Sequence, residues 1–446
     1  MKRIIICGFI VLLCQFFYDS SYSAENKIEQ KTSGPNSPNV ISGGNTKIEY
    51  NIKQTIIKQY KNSGVSPKAL EALAIELGEK NVKIENLESE VKQWIEKYKE
   101  LEKLLAAGSS SNKLKAEALE KLKNGDLDGA ERLLQQYKSN SLKEAADGAY
   151  ELGMIKELKL KYNEALSLYE EAVKYDKDNT KYQNAIGMIY LQTGEYKKAL
   201  SSFEKALEAD KKQYGENHTN VARDLNNIGG AWYSLGQYRE AIGYYERALK
   251  IDTDTFGENH PNVARDLNNI GGAWYSLGQY REAIGYYERA LKIDTDTLGE
   301  NHPNVATLLN NIGAAWRALG EYRKALGYLE RALKISIDTL GENHPNVARD
   351  LNNIGEAWDS LGEYRKALGY YERALKIHTN TLGENHPDVA TNLNNIGAAW
   401  DSLGEYRKAI EYYERALVIA EMRLGKEHPS TKTVQGNLEA VRAKLR

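Results

Sequence analysis

Cysteine is nearly absent from this sequence of 446 residues, since the only two, Cys7 and Cys14, lie near its start. Beyond residue 14 the chain therefore has no disulfide, no thiol nucleophile and no cysteine-ligated metal site. An excess of charge is also missing, because 60 Lys and Arg residues stand against 62 Asp and Glu residues. This balance gives no reason to expect nucleic acid or a membrane surface as a partner.

Residues 1–23 have the pattern of a secretory signal peptide. Lys2 and Arg3 precede an apolar run, residues 4–17, that is short for a membrane span. Ser21 and Ser23 are small residues at the spacing that a signal peptidase needs. The pattern predicts cleavage near Ser23 and export to the periplasm or the extracellular space, with an uncleaved anchor as the alternative.

A polar segment, residues 24–67, follows the signal pattern. Its prolines and its paired glycines indicate a linker. Apolar and polar residues alternate from Ile48 to Ile52, which is typical of one short strand.

Residues 68–106 have an apolar heptad pattern that predicts a coiled coil. The two core positions are filled by Leu70, Leu77, Ile84, Val91, Tyr98 and Leu105, and by Leu73, Leu87, Trp94 and Leu101. A lone helix would leave this stripe in water, so the pattern predicts a homodimer through residues 68–106. The alternative is a helix that packs against the chain's own repeats.

From residue 215 onward the sequence repeats every 42 residues. The repeated phrase begins at Gly215, Gly257, Gly299, Gly341 and Gly383, and it restarts at Gly425. The first two copies differ at two positions only, 219 against 261 and 256 against 298. Such fidelity shows that the chain is built from copies of one unit.

Each unit has the pattern of two amphipathic helices, A and B. In the second copy, Gly257 ends the preceding helix and Pro261 begins helix A. Helix A has apolar residues at three- and four-residue spacing, and Gly278 separates it from helix B. Small Ala283 and Ala290 let the two helices approach closely. One pair buries little by itself, so neighbouring pairs must stack.

This unit resembles the tetratricopeptide repeat (TPR) family. The residues that carry the resemblance are Leu267, Ile270, Gly271, Gly278, Tyr280, Ala283, Tyr287 and Ala290. The 42-residue period and the phrase GENHPNVARDLNNIG resemble kinesin-light-chain-type repeats more narrowly. The resemblance implies an all-α fold, a right-handed superhelical solenoid of helix-turn-helix repeats preceded by the coiled-coil helix.

The same pattern, in shorter form, extends upstream of the 42-residue copies. It divides the chain into a degenerate repeat at 113–144, two 34-residue-type repeats at 145–214, five 42-residue repeats at 215–424 and a capping helix at 425–446.

Helix A of each 42-residue copy has an asparagine that does not vary: Asn226, Asn268, Asn310, Asn352 and Asn394. Asparagine costs about 0.5–0.7 kcal/mol relative to alanine in a helix, so its retention indicates a role for the amide. In similar TPR proteins asparagines at this place hold an extended peptide, and the resemblance implies the same here. Recent copying of the repeat is the alternative. The adjacent asparagines, Asn227 to Asn395, are predicted to bond between repeats.

Other helix A positions vary among the copies and, in the family, face the concave groove. They add Arg223, Arg265, Arg349, Tyr233, Tyr275, Arg317, Asp359 and Asp401 to the predicted peptide-binding residues. Arginine can bind a carboxylate through two parallel bonds. The two aspartates lie toward the C-terminal end, so the groove is predicted to change from basic to acidic along the chain.

Six histidines recur at the same interval: His218, His260, His302, His344, His386 and His428. A zinc site needs about four ligands at one point, whereas one histidine per unit spreads them along the solenoid. We interpret them as turn or capping residues. The sequence also has no nucleophile-elbow, Walker or dinucleotide glycine pattern. We therefore predict no enzyme, no metal, no cofactor and no small-molecule substrate.

The resulting functional prediction is an exported scaffold that binds a protein or an extended peptide in the groove. Two alternatives stay open. One is an envelope structural or assembly protein with the repeats as a spacer, and the other is a secreted effector that acts on a host.

Overall fold

The described structure of this chain, a computed structural model, comprises residues 60, 63–79, 87–109, 112–138, 142–177, 179–426 and 428–445. Its regular secondary structure is entirely α-helical in these ranges, which confirms the all-α prediction. The predicted signal peptide, the strand near residue 50 and most of the polar linker lie outside the described residues. Within the described ranges, no helix combines the length and the hydropathy that a membrane crossing requires.

Helices form consecutive antiparallel pairs along most of the chain. Two N-terminal helices, α1 (Pro67–Glu79) and α2 (Leu87–Ser109), come first. The three shorter pairs are α3 (Lys113–Lys123) with α4 (Leu127–Lys138), α5 (Leu142–Leu158) with α6 (Tyr162–Tyr175), and α7 (Thr180–Gln192) with α8 (Tyr196–Tyr214). The 42-residue copies hold α9 (Thr219–Ser234) with α10 (Tyr238–Phe256), α11 (Pro261–Ser276) with α12 (Tyr280–Leu298), α13 (Pro303–Ala318) with α14 (Tyr322–Leu340), α15 (Pro345–Ser360) with α16 (Tyr364–Leu382), and α17 (Pro387–Ser402) with α18 (Tyr406–Leu424). A last helix, α19 (Pro429–Lys444), closes the series.

Each helix pair is bounded by the residues that the repeat keeps constant. Gly257 has a φ of 85°, a conformation that favours glycine, and it ends α10. His260 precedes α11, and its Nδ1 accepts a hydrogen bond from the backbone N–H of Asn262 at 3.1 Å. Pro261 is the first residue of α11, where a missing N–H costs nothing. All six repeat histidines cap a helix in this way, which confirms their interpretation as capping residues.

The core between the paired helices depends on small residues that face large ones. Leu267 and Ile270 of α11 and Ala283 and Ala290 of α12 are fully buried. Gly271 lies under the buried ring of Tyr287, so closely that an added Cβ would be 2.7 Å from two ring carbons. The glycine therefore sets how closely the two helices approach.

The stacking of the pairs separates two surfaces. Each first helix of a 42-residue copy packs on its own partner and on the second helix of the preceding pair. Successive first helices also contact each other, as α11 does with α13. Successive second helices have no comparable contact in the described part of the chain. The first helices α9, α11, α13, α15 and α17 thus form an inner wall, and the second helices α10, α12, α14, α16 and α18 form an outer face.

Helix α19 covers the end of the stack. Its Val434, Leu438 and Val441 are buried against α18 and its neighbours. Asn437 of α19 donates to Asn394 Oδ1 at 3.0 Å, which continues a bond that recurs between the copies.

The heptad stripe of the N-terminal helices packs against the chain's own repeats. Its described core residues, Leu70, Leu73, Val91, Trp94, Tyr98, Leu101 and Leu105, are all at most 3% exposed. Trp94 Nε1 donates to the carbonyl oxygen of Leu158 at 2.8 Å. The homodimer through residues 68–106 was predicted because this apolar stripe would otherwise be exposed to water. The stripe is buried within the chain, so that reason for a homodimer no longer applies.

Two hydrogen bonds show that α1 and α2 are not parts of one straight helix. Ser66 Oγ donates to the carbonyl oxygen of Lys123 at 2.6 Å, and Tyr98 Oη donates to that of Leu122 at 3.4 Å. In one straight helix, residues 66 and 98 would be about 48 Å apart, at 1.5 Å per residue. The prediction of a single extended coiled-coil helix is therefore wrong. The heptad residues were correctly identified as buried, but their partner is the same chain.

Candidate peptide-binding site

The inner wall is crossed by a ladder of asparagine side chains that joins neighbouring repeats. Asn227 Nδ2 donates to Asn184 Oδ1, and Asn311 Nδ2 donates to Asn268 Oδ1, each at 3.0 Å. Asn395 repeats the contact with Asn352 at 3.2 Å. Asn353 donates to Asn310 Oδ1 at a longer distance, 3.4 Å, whereas Asn269 Nδ2 of the second copy is buried without a partner among the described residues. The second asparagine therefore bonds between repeats in four of the five copies.

The first asparagine of each copy belongs to the same ladder. Asn226 Nδ2 donates to Asp266 Oδ1 of the next copy at 2.8 Å, and Asn310 Nδ2 donates to Asp350 Oδ1 at 2.9 Å. Asn226, Asn268 and Asn310 are 3%, 2% and 5% exposed, so a peptide cannot reach their amides. Peptide clamping by these three asparagines stays a prediction, and their burial between repeats does not support it.

Asn352 and Asn394 differ from the first three asparagines because they are only half-buried. Asn352 Nδ2 lies 3.4 Å from Glu356 Oε1 in its own helix, and Asn394 Nδ2 lies 3.4 Å from Asn395 Oδ1. These long hydrogen bonds of the amide N–H groups can be replaced by a ligand, whereas the Oδ1 atoms accept from Asn395 and Asn437 in the ladder. Peptide clamping by Asn352 and Asn394 stays a prediction.

The first two predicted arginines are engaged by aspartates of the chain. Arg223 Nη2 is 3.1 Å from Asp210 Oδ2 and 3.2 Å from Asp224 Oδ1. Arg265 makes the same pair of contacts in the second copy, with Asp252 at 3.1 Å and Asp266 at 2.9 Å. Both side chains are therefore held between the end of one helix pair and the start of the next.

Each of these clusters has two buried carboxylates for one guanidinium group. Burial raises the pKa of Asp224 and of Asp252 to about 7, although the neighbouring arginine favours the charged forms. Burial also raises the pKa of Asp266. The clusters are thus poised to hold a proton near neutral pH.

The same cluster position changes composition in the later copies. At the junction of the second and third copies, Asp294 has no arginine beside it, because Thr307 and Leu308 replace Arg265 and Asp266. At the next junction, Ser336 Oγ of the third copy donates to Asp350 Oδ2 of the fourth at 2.5 Å, beside Arg349. His378 Nδ1 of the fourth copy and Asn392 Oδ1 of the fifth are 2.7 Å apart. The copies therefore differ in charge at a position that packing holds constant.

The remaining predicted site residues also lie on the inner wall. Tyr233 Oη is 2.7 Å from Ser276 Oγ of the next copy, and burial raises the pKa of Tyr275. Arg317 Nη1 is 2.5 Å from Glu356 Oε2, and Asp359 is half-buried one turn further along the same helix as Glu356.

Charges at both ends of the inner wall are paired within the chain. At the C-terminal end, Asp401 Oδ1 lies 2.6 Å from Lys444 Nζ of α19. At the N-terminal end, Arg223 and Arg265 contact the aspartates described above. These ion pairs weaken the predicted change from basic to acidic along the groove.

The buried aspartates near the C-terminal ends of the helices B were not among the residues predicted from the sequence, although they form charged clusters with the predicted arginines. Asp210 and Asp252 each precede an Arg-Asp pair by the same interval of 13 residues. That recurring interval is a signal that could have identified the clusters. Within the described ranges, no three His, Cys, Asp or Glu side chains come together as a metal site would require.

Comparison with known proteins places this helix-pair pattern among established repeats. The family model for the tetratricopeptide repeat matches residues 179–254, 230–296, 267–338, 304–380 and 360–422, together more than half of the chain. No curated protein matches the sequence.

Three solved structures illustrate the similarity in fold. The apo form of the quorum sensor NprR from B. thuringiensis is 16% identical, with a TM-score of 0.55 over 75% of this chain and 99% of that chain. The kinesin light chain TPR-like repeats of Podosopora anserina are 22% identical, with a TM-score of 0.42 over 46% and 96% of the two chains. BtubC (BKLC) from P. vanneervenii is 25% identical, with a TM-score of 0.46 over 52% and 94%.

Proposed function

Because the chain belongs to the tetratricopeptide repeat family, we propose that it is a protein-interaction scaffold that binds an extended peptide or protein segment on its inner wall. The observation that carries this proposal is the contrast between the two kinds of helix A position. The packing residues keep their identity in all five copies, whereas half-exposed positions on the same helices change in charge and size.

The half-exposed positions give each copy a different binding surface. Arg317 of the third copy corresponds to Asp359 and Asp401 in the next two. Glu356 of the fourth copy corresponds to an alanine, Ala398, in the fifth. A ligand that crosses successive copies therefore meets a different set of side chains at each one.

The C-terminal half of the inner wall is the part that we propose makes the main contacts. The amides of Asn352 and Asn394 are half-exposed there, and the side chain of Arg349 is 41% exposed. In the N-terminal half the equivalent amides are buried in the ladder. The predicted contacts of Arg223, Arg265, Tyr233 and Tyr275 remain part of the proposal as flanking residues.

A matched pair of double variants tests the assignment to the C-terminal half. The probe is a peptide selected from a random library for binding to the unaltered chain. We expect the double variant Asn352→Ala with Asn394→Ala to bind this peptide about tenfold more weakly. That loss corresponds to about 1.4 kcal/mol, the size of one or two hydrogen bonds. Isothermal titration measures the affinity, and circular dichroism measures the melting temperature.

The control is Asn268→Ala with Asn310→Ala, which removes buried rungs of the ladder. It should lower the melting temperature, because buried partners lose their hydrogen bonds at about 1–3 kcal/mol each. It should change affinity less than the first variant does. Equal affinity of the selected peptide for the Asn352 and Asn394 variant and the unaltered chain would refute the assignment.

Export is the second part of the proposal. Lys2 and Arg3 with the apolar run that follows support a signal peptide. We expect the protein recovered from the periplasmic or extracellular fraction to begin close to Ala24, which mass spectrometry of its N-terminal peptide can establish. Recovery only of a chain that still carries residues 1–23 contradicts the predicted cleavage.

A further inference from the structure

A second recurring feature lies on the outer face, away from the inner wall. In each of the first four copies, helix B has a glycine with an arginine one turn before it and another one turn after it. These Arg-Gly-Arg stripes are Arg239–Gly243–Arg247, Arg281–Gly285–Arg289, Arg323–Gly327–Arg331 and Arg365–Gly369–Arg373. All twelve residues are exposed, and the spacing of four places them on one side of the helix.

The packing of the chain does not account for these glycines. A Cβ added at Gly243, Gly285, Gly327 or Gly369 would meet no atom within 4 Å. A glycine in a helix interior costs about 1 kcal/mol relative to alanine. Four such residues lower stability without a packing reason in the described part of the chain, which points to an external molecule that needs the space.

A cleft is present where the stripe of the third copy lies. It has a volume of about 380 Å³ and is lined by Trp316, Arg323, Lys324, Gly327, Tyr328 and Arg331. An equivalent cleft of about 450 Å³ occurs three units earlier, lined in part by Tyr190, Lys198, Ser201 and Lys205. Corresponding positions of two units therefore line a cleft on the outer face.

The stripes of the third and fourth copies are the most cationic. In the described part of the chain, no carboxylate forms an ion pair with their four stripe arginines, and a lysine follows the first arginine of each stripe. The first two copies have a glutamate, Glu240 or Glu282, at this lysine position. Lys324 and Lys366 each lie 3.5 Å from an exposed glutamate, a pair that contributes little at the surface.

The fifth copy has an acidic residue at the glycine position of its stripe. There a glutamate, Glu411, stands between Arg407 and Arg415 in the sequence. This exposed side chain occupies the position that the other four copies leave empty of any side chain. Opposite charges one turn apart on a helix attract each other, so an acidic group is compatible with the two arginines at this position.

The aromatic residues beside the stripes do not offer open stacking surfaces. Lys324 Nζ lies 4.5 Å from the ring centre of Trp316, and Lys366 Nζ lies 4.3 Å from that of Trp358. A nucleobase or a sugar ring needs an uncovered aromatic face on which to stack. The surface therefore favours acidic side chains of a polypeptide over nucleic acid or polysaccharide.

We propose that the Arg-Gly-Arg stripes of the third and fourth copies bind acidic side chains of an extended segment of a partner protein. The glycine lets the segment approach the helix backbone, and the two arginines hold one carboxylate between them. This surface is separate from the inner wall, so the protein has two docking surfaces on opposite sides of the repeat stack.

The test uses the residue that the fifth copy already carries. The probe is a fluorescein-labelled peptide of alternating glutamate and glycine, with binding measured by fluorescence anisotropy on the full chain at two salt concentrations. We expect Gly327→Glu with Gly369→Glu to weaken binding at least tenfold, because each stripe then holds its own carboxylate. Circular dichroism should show an unchanged fold and no loss in melting temperature.

A matched control separates charge from bulk. Gly327→Gln with Gly369→Gln should weaken binding less than the glutamate variant does. No binding of the probe to the unaltered chain would overturn the proposal, as would equal binding to the glutamate variant. Stronger binding of oligo-deoxythymidine or oligogalacturonate than of the peptide would also overturn it.

Discussion

Replacing Gly271 by alanine is expected to destabilise the protein by at least about 1–3 kcal/mol, the usual cost of overpacking a core. The new Cβ would lie 2.7 Å from two carbons of the Tyr287 ring, which real structures do not tolerate. Tyr287 is 1% exposed and cannot move away, because the neighbouring pairs enclose it. The two helices of the pair must therefore separate, and the stacking on both sides is disturbed.

The same substitution in the same repeat should have the opposite effect at Gly285. This glycine is exposed in the interior of α12, and an added Cβ would meet nothing within 4 Å. Alanine there should stabilise the protein by about 1 kcal/mol, because it has the higher helix propensity. Urea denaturation of the two single variants beside the unaltered chain measures both changes. A loss of stability in both variants, or in neither, contradicts the structural distinction between the two glycines.

The fold was predictable because the residues of each repeat mark the helix ends and the buried faces. Gly257, Pro261 and Gly278 mark helix ends, and the apolar spacing between them gives the buried faces. Five copies let the constant packing residues be separated from the variable ones by comparison within one sequence. These features depend on local spacing alone, so the sequence was enough to predict a tetratricopeptide repeat protein. The match to the family model confirms that prediction.

The candidate site was less predictable because an amide looks the same in sequence whether it is buried or exposed. Asn268 and Asn352 occupy the same repeat position, yet the first is 2% exposed and the second is half-buried. The difference depends on how neighbouring repeats pack, which a single repeat does not encode. The coiled-coil prediction from the heptad stripe was wrong for a related reason. Heptad spacing specifies which face of a helix is buried, but it does not specify what that face packs against.

A change in pH should affect stability through Asp294, the buried aspartate near the end of the second copy that has no arginine partner. It is 5% exposed, and burial raises its pKa from 3.8 to about 7, against the side chain of Asn304, which favours the charged form. The folded state therefore binds a proton that the unfolded state releases between about pH 4 and pH 7. The resulting stabilisation is complete below pH 3.8 and is lost as the pH rises through 7.

The chain supplies its own comparison variant, because the third copy has Ser336 at the equivalent position. We expect the unaltered protein to gain about 2–3 kcal/mol relative to Asp294→Ser when the pH falls from 8 to 5, from the linkage between proton binding and folding. Urea denaturation of both proteins at each pH gives the difference, in which the six capping histidines cancel because both proteins have them. At pH 8 the serine variant should be the more stable of the two, since it removes a buried charge. Parallel stability curves across this pH range would show that Asp294 keeps an ordinary pKa in the folded protein.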